Sequence, residues 1–183
     1  MAHLRFATAR DLFEHFPSAS DRVRAQPTDE LPSDFARRLA SQGKLEDAVS
    51  FCAFLLPRRE AVWWGCRSLR ALLGSSAERG ADCLRAAQAW AERPDEGRRL
   101  AAREVANRGD SDNPMTWLAF AAAWSGGSIV PSPHKPVPAP PYLTAHMTRI
   151  ALLLGARLVR GPERSGRLRA CVEDCIQISE NGL

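Results

Sequence analysis

The side chains with the most versatile chemistry in this sequence of 183 residues are five cysteines and four histidines. Cys171 and Cys175 are four residues apart, so on a helix they would share one face and could supply half of a metal site. The histidines stand singly, and none has ligand spacing to another (His3, His15, His134 and His146). Free cysteine is among the residues most often buried. The sequence therefore favours core thiols over a metal centre, and it predicts no cofactor.

Motifs of known catalytic chemistry are absent from the sequence. It contains no G-x-S-x-G, no H-E-x-x-H and no glycine-rich loop after a strand. One arrangement stays open, because His146 could converge with Cys171 or Cys175 in the fold as a cysteine–histidine pair. We nevertheless predict a protein without enzymatic activity.

A second group of residues suits recognition, and it lies in "LPRREAVWWGCRSLR". Arg58, Arg59 and Glu60 precede two adjacent tryptophans, Trp63 and Trp64. Neighbouring residues on a helix point about 100° apart, so we expect one tryptophan in the core and the other at its boundary, where arginine can stack on it. Tryptophan and arginine are enriched in binding hot spots. Two core tryptophans with arginines around them are the alternative.

The stretch "WSGGSIVPSPHKPVPAPPYLT" has a composition that a helix does not tolerate. Its six prolines lie between Pro131 and Pro141, and each interior proline costs a helix about 3 kcal/mol. At about 3.1 Å per residue in polyproline II, residues 125–141 could cross the bundle as an extended strap and make the flanking helices parallel. A docking segment for a proline-recognising groove is the alternative. We expect Gly126-Gly127 to end the preceding helix with positive φ.

Charged residues are distributed unevenly along the chain. The 25 basic residues include only two lysines, and no acidic residue lies between Asn113 and Pro162. The range Arg149–Arg169 holds six arginines and the single acid Glu163. Such a patch attracts acidic partners or phosphates, so nucleic-acid binding by these arginines is one candidate function. A solvated arginine face is the alternative.

The elements that must position these groups follow from the helical period of the apolar residues. Proline, glycine and capping residues separate the periodic segments, and none of the segments alternates like a strand. We predict an all-α fold, an irregular bundle of seven to nine helices in a single domain over residues 1–183. Residues 17–32 are predicted to form a polar loop and residues 125–141 the glycine- and proline-rich strap.

The cellular compartment is indicated by the apolar runs and the cysteines. Residues 1–16 include Arg5, Arg10 and Asp11 and lack the unbroken apolar stretch of a signal peptide. The longest apolar run, from Ile150, is too short to span a bilayer. An odd number of cysteines argues against a disulfide framework. We predict a cytoplasmic protein with no membrane span.

The stretches "LPRREAVWW" and "WSGGS", with the later "PPYLT", resemble a family of uncharacterised bacterial proteins, a domain of unknown function whose genes often lie near type VI secretion genes. The similarity covers roughly residues 45–155. It implies a secretion-associated context and no established chemistry.

The residues and this resemblance together predict a non-enzymatic protein-binding module. The expected role is an adaptor or chaperone for an effector or spike component of type VI secretion, and an immunity protein that neutralises a toxin is the alternative. The predicted partner-binding residues come from the two stretches: Arg58, Arg59, Glu60, Trp63, Trp64, Trp124, Ser125, Gly126, Gly127 and Ser128.

Overall fold

The computed structural model describes residues 5–74, 80–130 and 135–183. Their regular structure consists of ten helices: α1 (Ala9–His15), α2 (Pro17–Ser20), α3 (Pro32–Ser41), α4 (Leu45–Leu55), α5 (Arg58–Leu73), α6 (Ala81–Glu92), α7 (Glu96–Arg108), α8 (Pro114–Ala123), α9 (Leu143–Leu158) and α10 (Glu163–Asn181). One isolated β-bridge is the only strand-like pairing in these ranges. The predicted all-α fold is confirmed.

Several helices begin where a short polar side chain caps them. Thr8 and Asp11 form a capping box at α1, because each side chain accepts a hydrogen bond from the backbone N–H of the other. Asp95 and Asn113 accept hydrogen bonds from the first turns of α7 and α8. These caps satisfy N–H groups that have no partner inside the helix, so the chain can restart a helix soon after a break.

The central element of the bundle is α8. Its residues are apolar on nearly every side, which is typical of a buried helix. α5, α6, α7 and α9 pack around it, and α4 and α10 extend the core on the far side of α5 and α9. One cluster of buried side chains includes residues from Phe6 to Ile178. No helix in the described ranges combines the length and the hydropathy that crossing a bilayer requires.

Two helix glycines allow α5 and α9 to approach closely. A Cβ atom on Gly65 would lie 2.5 Å from Cδ1 of Leu118 on α8 and 3.1 Å from Cγ2 of Thr148 on α9. One on Gly155 would lie 2.6 Å from Cδ2 of Leu69. Later residues of α5 therefore meet later residues of α9, so the two helices run in the same direction. This parallel pair places the start of α5 near the turn between α8 and α9.

The glycine- and proline-rich segment folds back on itself as a hairpin. Ile129 donates its N–H to the carbonyl of Val137 at 2.9 Å, and Ala139 donates to the carbonyl of Gly127 at 3.0 Å. The prediction of a strap that crosses the bundle is wrong for these residues. The prolines only exclude a helix. Two extended arms that pair with each other meet this constraint as well as a single extended strap does. Residues 131–134 of the predicted strap lie outside the described residues.

Because the hairpin returns the chain to its starting point, α8 and α9 are antiparallel. Thr144, at the start of α9, donates from Oγ1 to the carbonyl of Trp124 at 3.5 Å. At the other end, a Cβ atom on Gly155 would lie 3.9 Å from Cβ of Pro114. The predicted parallel arrangement of the two flanking helices is therefore wrong.

Residues 17–32 contain more regular structure than the polar loop predicted for them. Pro17 begins α2, where its missing N–H costs no hydrogen bond, and Pro32 begins α3. Ala19 and Val23 are buried in the core. Two anchoring side chains are too few to produce a helical period in the sequence, so the short α2 was missed. The described residues therefore form ten helices, more than the seven to nine predicted.

Candidate functional site

Arg58 connects the two stretches that were predicted to bind a partner. It is the first residue of α5, and its Nη1 donates to the carbonyl oxygen of Ser125 at 2.6 Å. The two residues are 67 positions apart in the sequence. The start of α5 and the turn after α8 are thus adjacent in space.

Three successive carbonyl groups at the end of α8 accept hydrogen bonds from three different helices. Arg99 on α7 donates to Ala123 at 2.6 Å, Thr144 on α9 donates to Trp124, and Arg58 on α5 donates to the third carbonyl. The last carbonyls of a helix lack partners within it and carry partial negative charge, which favours guanidinium donors. These three bonds, here named the α8 clamp, hold the turn in place.

Arg99, like Thr144, is a member of the α8 clamp that was not among the predicted site residues. Its side chain is only 6% exposed, and it pairs with both carboxylate oxygens of Glu96 at 2.6 and 2.7 Å. This pairing raises the pKa of Arg99 and lowers that of Glu96, so both stay charged. In the sequence they form an i, i+3 pair like those on many exposed helix faces, and that spacing carries no sign of burial.

Gly127 covers the guanidinium group of Arg99. Its φ is +65°, and a Cβ atom on it would lie 2.6 Å from Nη2 of Arg99. The expected positive φ in Gly126-Gly127 is therefore confirmed at Gly127. Gly126 differs, because a Cβ atom there would meet nothing within 4 Å. Of the two glycines, only Gly127 is required by its surroundings.

Ser128 organises the hairpin. Its Oγ accepts hydrogen bonds from the N–H groups of Val130 and Val137 at 3.2 and 3.0 Å and donates to the carbonyl of Val130 at 2.8 Å. The hairpin leaves Ile129, Val130 and Val137 exposed. Ser128 thus shapes a small apolar projection beside the turn.

Trp124 belongs to a row of aromatic rings along α8. It is half-buried, and its ring stacks on Phe120 at 4.7 Å between centroids. Phe120 also contacts Trp117, at 6.1 Å. The ring of Trp124 therefore packs against Phe120 of the preceding helix.

The structure assigns different environments to the two adjacent tryptophans. Trp64 is fully buried, and its Nε1 donates to the carbonyl of Cys171 at 2.8 Å. Trp63 is half-buried at the edge of the core. The expectation of one core and one boundary tryptophan is confirmed. The inclusion of Trp64 in the predicted partner-binding set is wrong, because a side chain without exposed surface cannot touch a partner.

Trp63 forms one wall of a cleft of about 470 Å³ between α5, the end of α6 and the end of α10. We name it the Trp63 groove, and its lining residues are Arg59, Trp63, Arg67, Glu92, Ile178, Gly182 and Leu183. On α5, Arg59 and Arg67 stand four residues before and after Trp63, so the three share one helix face. The groove presents an aromatic wall between two guanidinium groups.

The two arginines of the Trp63 groove have different partners. Arg59 donates from Nε to the carbonyl of Ala91 at 2.8 Å, whereas Nη2 of Arg67 pairs with Asp174 at 2.8 Å. Burial raises the pKa of Asp174, and the charge of Arg67 opposes this shift. Within residues 5–74, 80–130 and 135–183, no carboxylate lies within ion-pair distance of Arg59. In the described part of the chain, no residue accepts a hydrogen bond from its two Nη groups.

Apart from Glu60 and the buried Trp64, the predicted binding residues therefore divide into two groups. Arg59 and Trp63 lie in the Trp63 groove. Arg58 and the segment 124–128 belong to the α8 clamp and the hairpin. Glu60 lies in the first turn of α5, where a carboxylate interacts favourably with the helix dipole, and it does not line the groove.

The cysteines lie inside the core. All five are free and buried, and burial raises the pKa of Cys66 to about 12 and that of Cys171 to about 11. Burial and the neighbouring Cys52 raise the pKa of Cys175 well above its ordinary value. The part of the chain that the structure describes contains no group of three or more metal-ligating side chains. The thiols of Cys66, Cys171 and Cys175 therefore stay protonated near neutral pH and are weak nucleophiles.

The arginines of the range Arg149–Arg169 are largely engaged within the fold. Four of the six donate to side chains or carbonyls elsewhere in the bundle: Arg149 to Ser50, Arg164 to Glu46, Arg167 to Leu72 and Arg169 to Ala40. They link helices to one another, and this use reduces the cationic surface left for a partner.

Residues 35–179 match the sequence model of a family described as a family of unknown function, DUF6931. The chain belongs to DUF6931. The DUF6931 match extends beyond the range 45–155 expected from the resemblance, and it includes the α8 clamp. It also includes the groove residues up to Ile178. No curated protein and no solved structure matches this sequence.

Proposed function

We propose that this DUF6931 protein is a non-enzymatic protein-binding module and that the Trp63 groove is its partner-binding site. The observation that supports the proposal is the half-buried Trp63 between Arg59 and Arg67 on the wall of a cleft. Tryptophan and arginine dominate binding hot spots, above all in pockets partly shielded from water. The rigid guanidinium fork adds directed hydrogen bonds.

The proposal gives the α8 clamp a structural role. The guanidinium group of Arg58 donates to the carbonyl of Ser125, and this bond fixes the turn in the absence of a partner. A preformed turn reduces the conformational entropy lost on binding, so the turn and the hairpin could extend the contact area beyond the groove. The main contribution to affinity is assigned to Arg59 and Trp63.

The resemblance to proteins encoded near type VI secretion genes supports a more specific role. A small helical cytoplasmic protein with a docking groove suits an adaptor or chaperone that holds an effector or spike component. An immunity protein that neutralises a toxin would use the same kind of groove. The identity of the partner distinguishes the two roles.

Protein binding is favoured over the other candidate functions by two observations. The raised thiol pKa values of Cys66 and Cys171 make a cysteine nucleophile unfavourable. Four of the six arginines that could contact nucleic acid already have partners within the fold, whereas duplex binding needs several cations directed at phosphates.

Affinity purification from the native cell tests the proposal. The wild-type protein is compared with Trp63→Ala, Arg59→Ala and a control, Arg24→Ala, since Arg24 is exposed and has no hydrogen bond or ion pair with a described residue. A hot-spot residue contributes about 2 kcal/mol or more, so each groove variant should lose about thirtyfold in affinity. The control should retain the partner.

Two results would contradict the proposal. Capture of the same partner at unchanged affinity by folded Trp63→Ala and Arg59→Ala proteins would show that the groove is not the binding site. Recovery of nucleic acid in place of a protein would favour the arginines of the range Arg149–Arg169.

A further inference from the structure

The side of α5 that forms the Trp63 groove carries more positive than negative charge. Arg59, Arg67 and Arg70 lie on this side, and Arg70 donates to the side chain of Gln88 on α6. The neighbouring carboxylates are Glu92, which accepts a hydrogen bond from Gln88 at 2.6 Å, and Asp174. Among the described side chains on this side of α5, three cations thus face two anions.

Only one of these cations has a carboxylate partner among the described residues. Asp174 pairs with Arg67, while Arg59 and Arg70 donate to the carbonyl of Ala91 and the amide of Gln88. A neutral acceptor satisfies a donor but does not compensate its charge. A carboxylate placed against the free Nη groups of Arg59 would form the charge-assisted, two-pronged hydrogen bond that arginine favours.

The rest of the Trp63 groove is apolar. Trp63 and Ile178 form its walls, and Leu183, which is half exposed, lies at its rim. A cleft of about 470 Å³ is in the size range of sites for small ligands. It therefore suits a few side chains of a peptide rather than a whole helix.

We propose that the Trp63 groove binds a short acidic segment of the partner protein. One Asp or Glu of that segment pairs with Arg59, and a neighbouring apolar side chain packs on Trp63. This inference rests on the proposed function and adds the chemistry of the partner. A basic segment is disfavoured, because it would bring like charge to an uncompensated guanidinium group.

A random peptide library displayed on phage, selected against the full chain, tests this chemistry. Selected peptides should be enriched in Asp or Glu next to Leu, Ile, Phe or Trp. The best peptide and a copy with Asn and Gln at its acidic positions are then synthesised, and their affinities are measured by fluorescence anisotropy. The amide copy should bind at least about tenfold more weakly, as expected for the loss of a charge-assisted hydrogen bond.

Variants locate the site of the selected peptide. Arg59→Gln should weaken binding by about tenfold, and Trp63→Ala by at least as much. Arg24 is exposed and distant in the sequence from the groove residues, so Arg24→Gln should leave the affinity unchanged. Circular dichroism and a urea unfolding midpoint confirm that each variant is folded before it is compared.

The inference is overturned if no peptide is selected, if the selected peptides lack acidic residues, or if acidic peptides bind Arg59→Gln as tightly as the wild type. Its failure is distinct from that of the proposed function. A cellular partner that is lost from Trp63→Ala, together with selected peptides that lack acids, refutes only the acidic chemistry. A cellular partner that Trp63→Ala retains refutes the groove itself.

Discussion

The guanidinium group of Arg58 donates to the carbonyl oxygen of Ser125 at 2.6 Å, and this bond joins the start of α5 to the end of α8. The adjacent Arg59 points to α6 and the Trp63 groove. Two neighbouring arginines thus have separate tasks, one within the fold and one at the candidate binding site.

This division predicts different effects of two matched substitutions. Arg58→Ala should lower the free energy of unfolding by about 1.5 kcal/mol, because a half-buried helix-end carbonyl loses a charged donor. Arg59→Ala should lower it by less than about 0.5 kcal/mol, since Arg59 is exposed and water can replace its bond. Urea unfolding measures both. Equal effects of the two substitutions would contradict the assignment.

The two glycines of the turn provide a second matched pair. Gly127→Ala should cost about 1 to 2 kcal/mol, because a non-glycine residue with positive φ is strained and the new Cβ atom would displace the guanidinium group of Arg99. Gly126→Ala has open space around the Cβ position and lacks the positive φ, so it should change stability by less than about 0.5 kcal/mol. Thermal unfolding of both variants checks the difference, and a Gly127→Ala protein of wild-type stability would refute it.

The adjacent tryptophans should respond differently to the same substitution. Trp64→Phe removes the indole donor to the carbonyl of Cys171 and leaves a void in the core, so it should cost about 2 kcal/mol or more. Trp63→Phe keeps an aromatic wall at a half-buried position and should cost less than about 1 kcal/mol. Urea midpoints compare the two variants. A larger loss from Trp63→Phe would show that the assignments are reversed.

The sequence is sufficient to predict the fold class and part of the candidate site. Helical period and capping residues such as Asn113 are local signals, because each acts on the helix in which it occurs. The angular separation of Trp63 and Trp64 is also local, so one core and one boundary tryptophan could be expected. Which of them is buried depends on α10, more than a hundred positions away, whose Cys171 accepts the bond from Trp64.

The missed features depend on contacts that residues make across a loop or between helices. Proline content shows that the segment after α8 is not helical, but the pairing of Ile129 with Val137 decides whether it crosses the bundle or turns back. The burial of Arg99 depends on the carbonyl of Ala123 and on Gly127, and no spacing in the sequence relates these residues. The Trp63 groove likewise exists only because α6 and α10 end beside α5.

Because its thiols are buried, the protein should lose folding stability at alkaline pH. Because the pKa of Cys66 is about 12 and that of Cys171 about 11, against an ordinary value of 9.0, the unfolded chain releases protons that the folded chain keeps. Stability is therefore fully present below about pH 9 and falls above it, by up to about 1.4 kcal/mol per pH unit for each such thiol. Cys66→Ala removes one of these thiols, so it should visibly reduce the slope of the urea midpoint between pH 8 and 10. A midpoint that stays constant over this range, or rapid labelling of the native thiols by a disulfide reagent at pH 8, would contradict the assignment of these cysteines to a closed core.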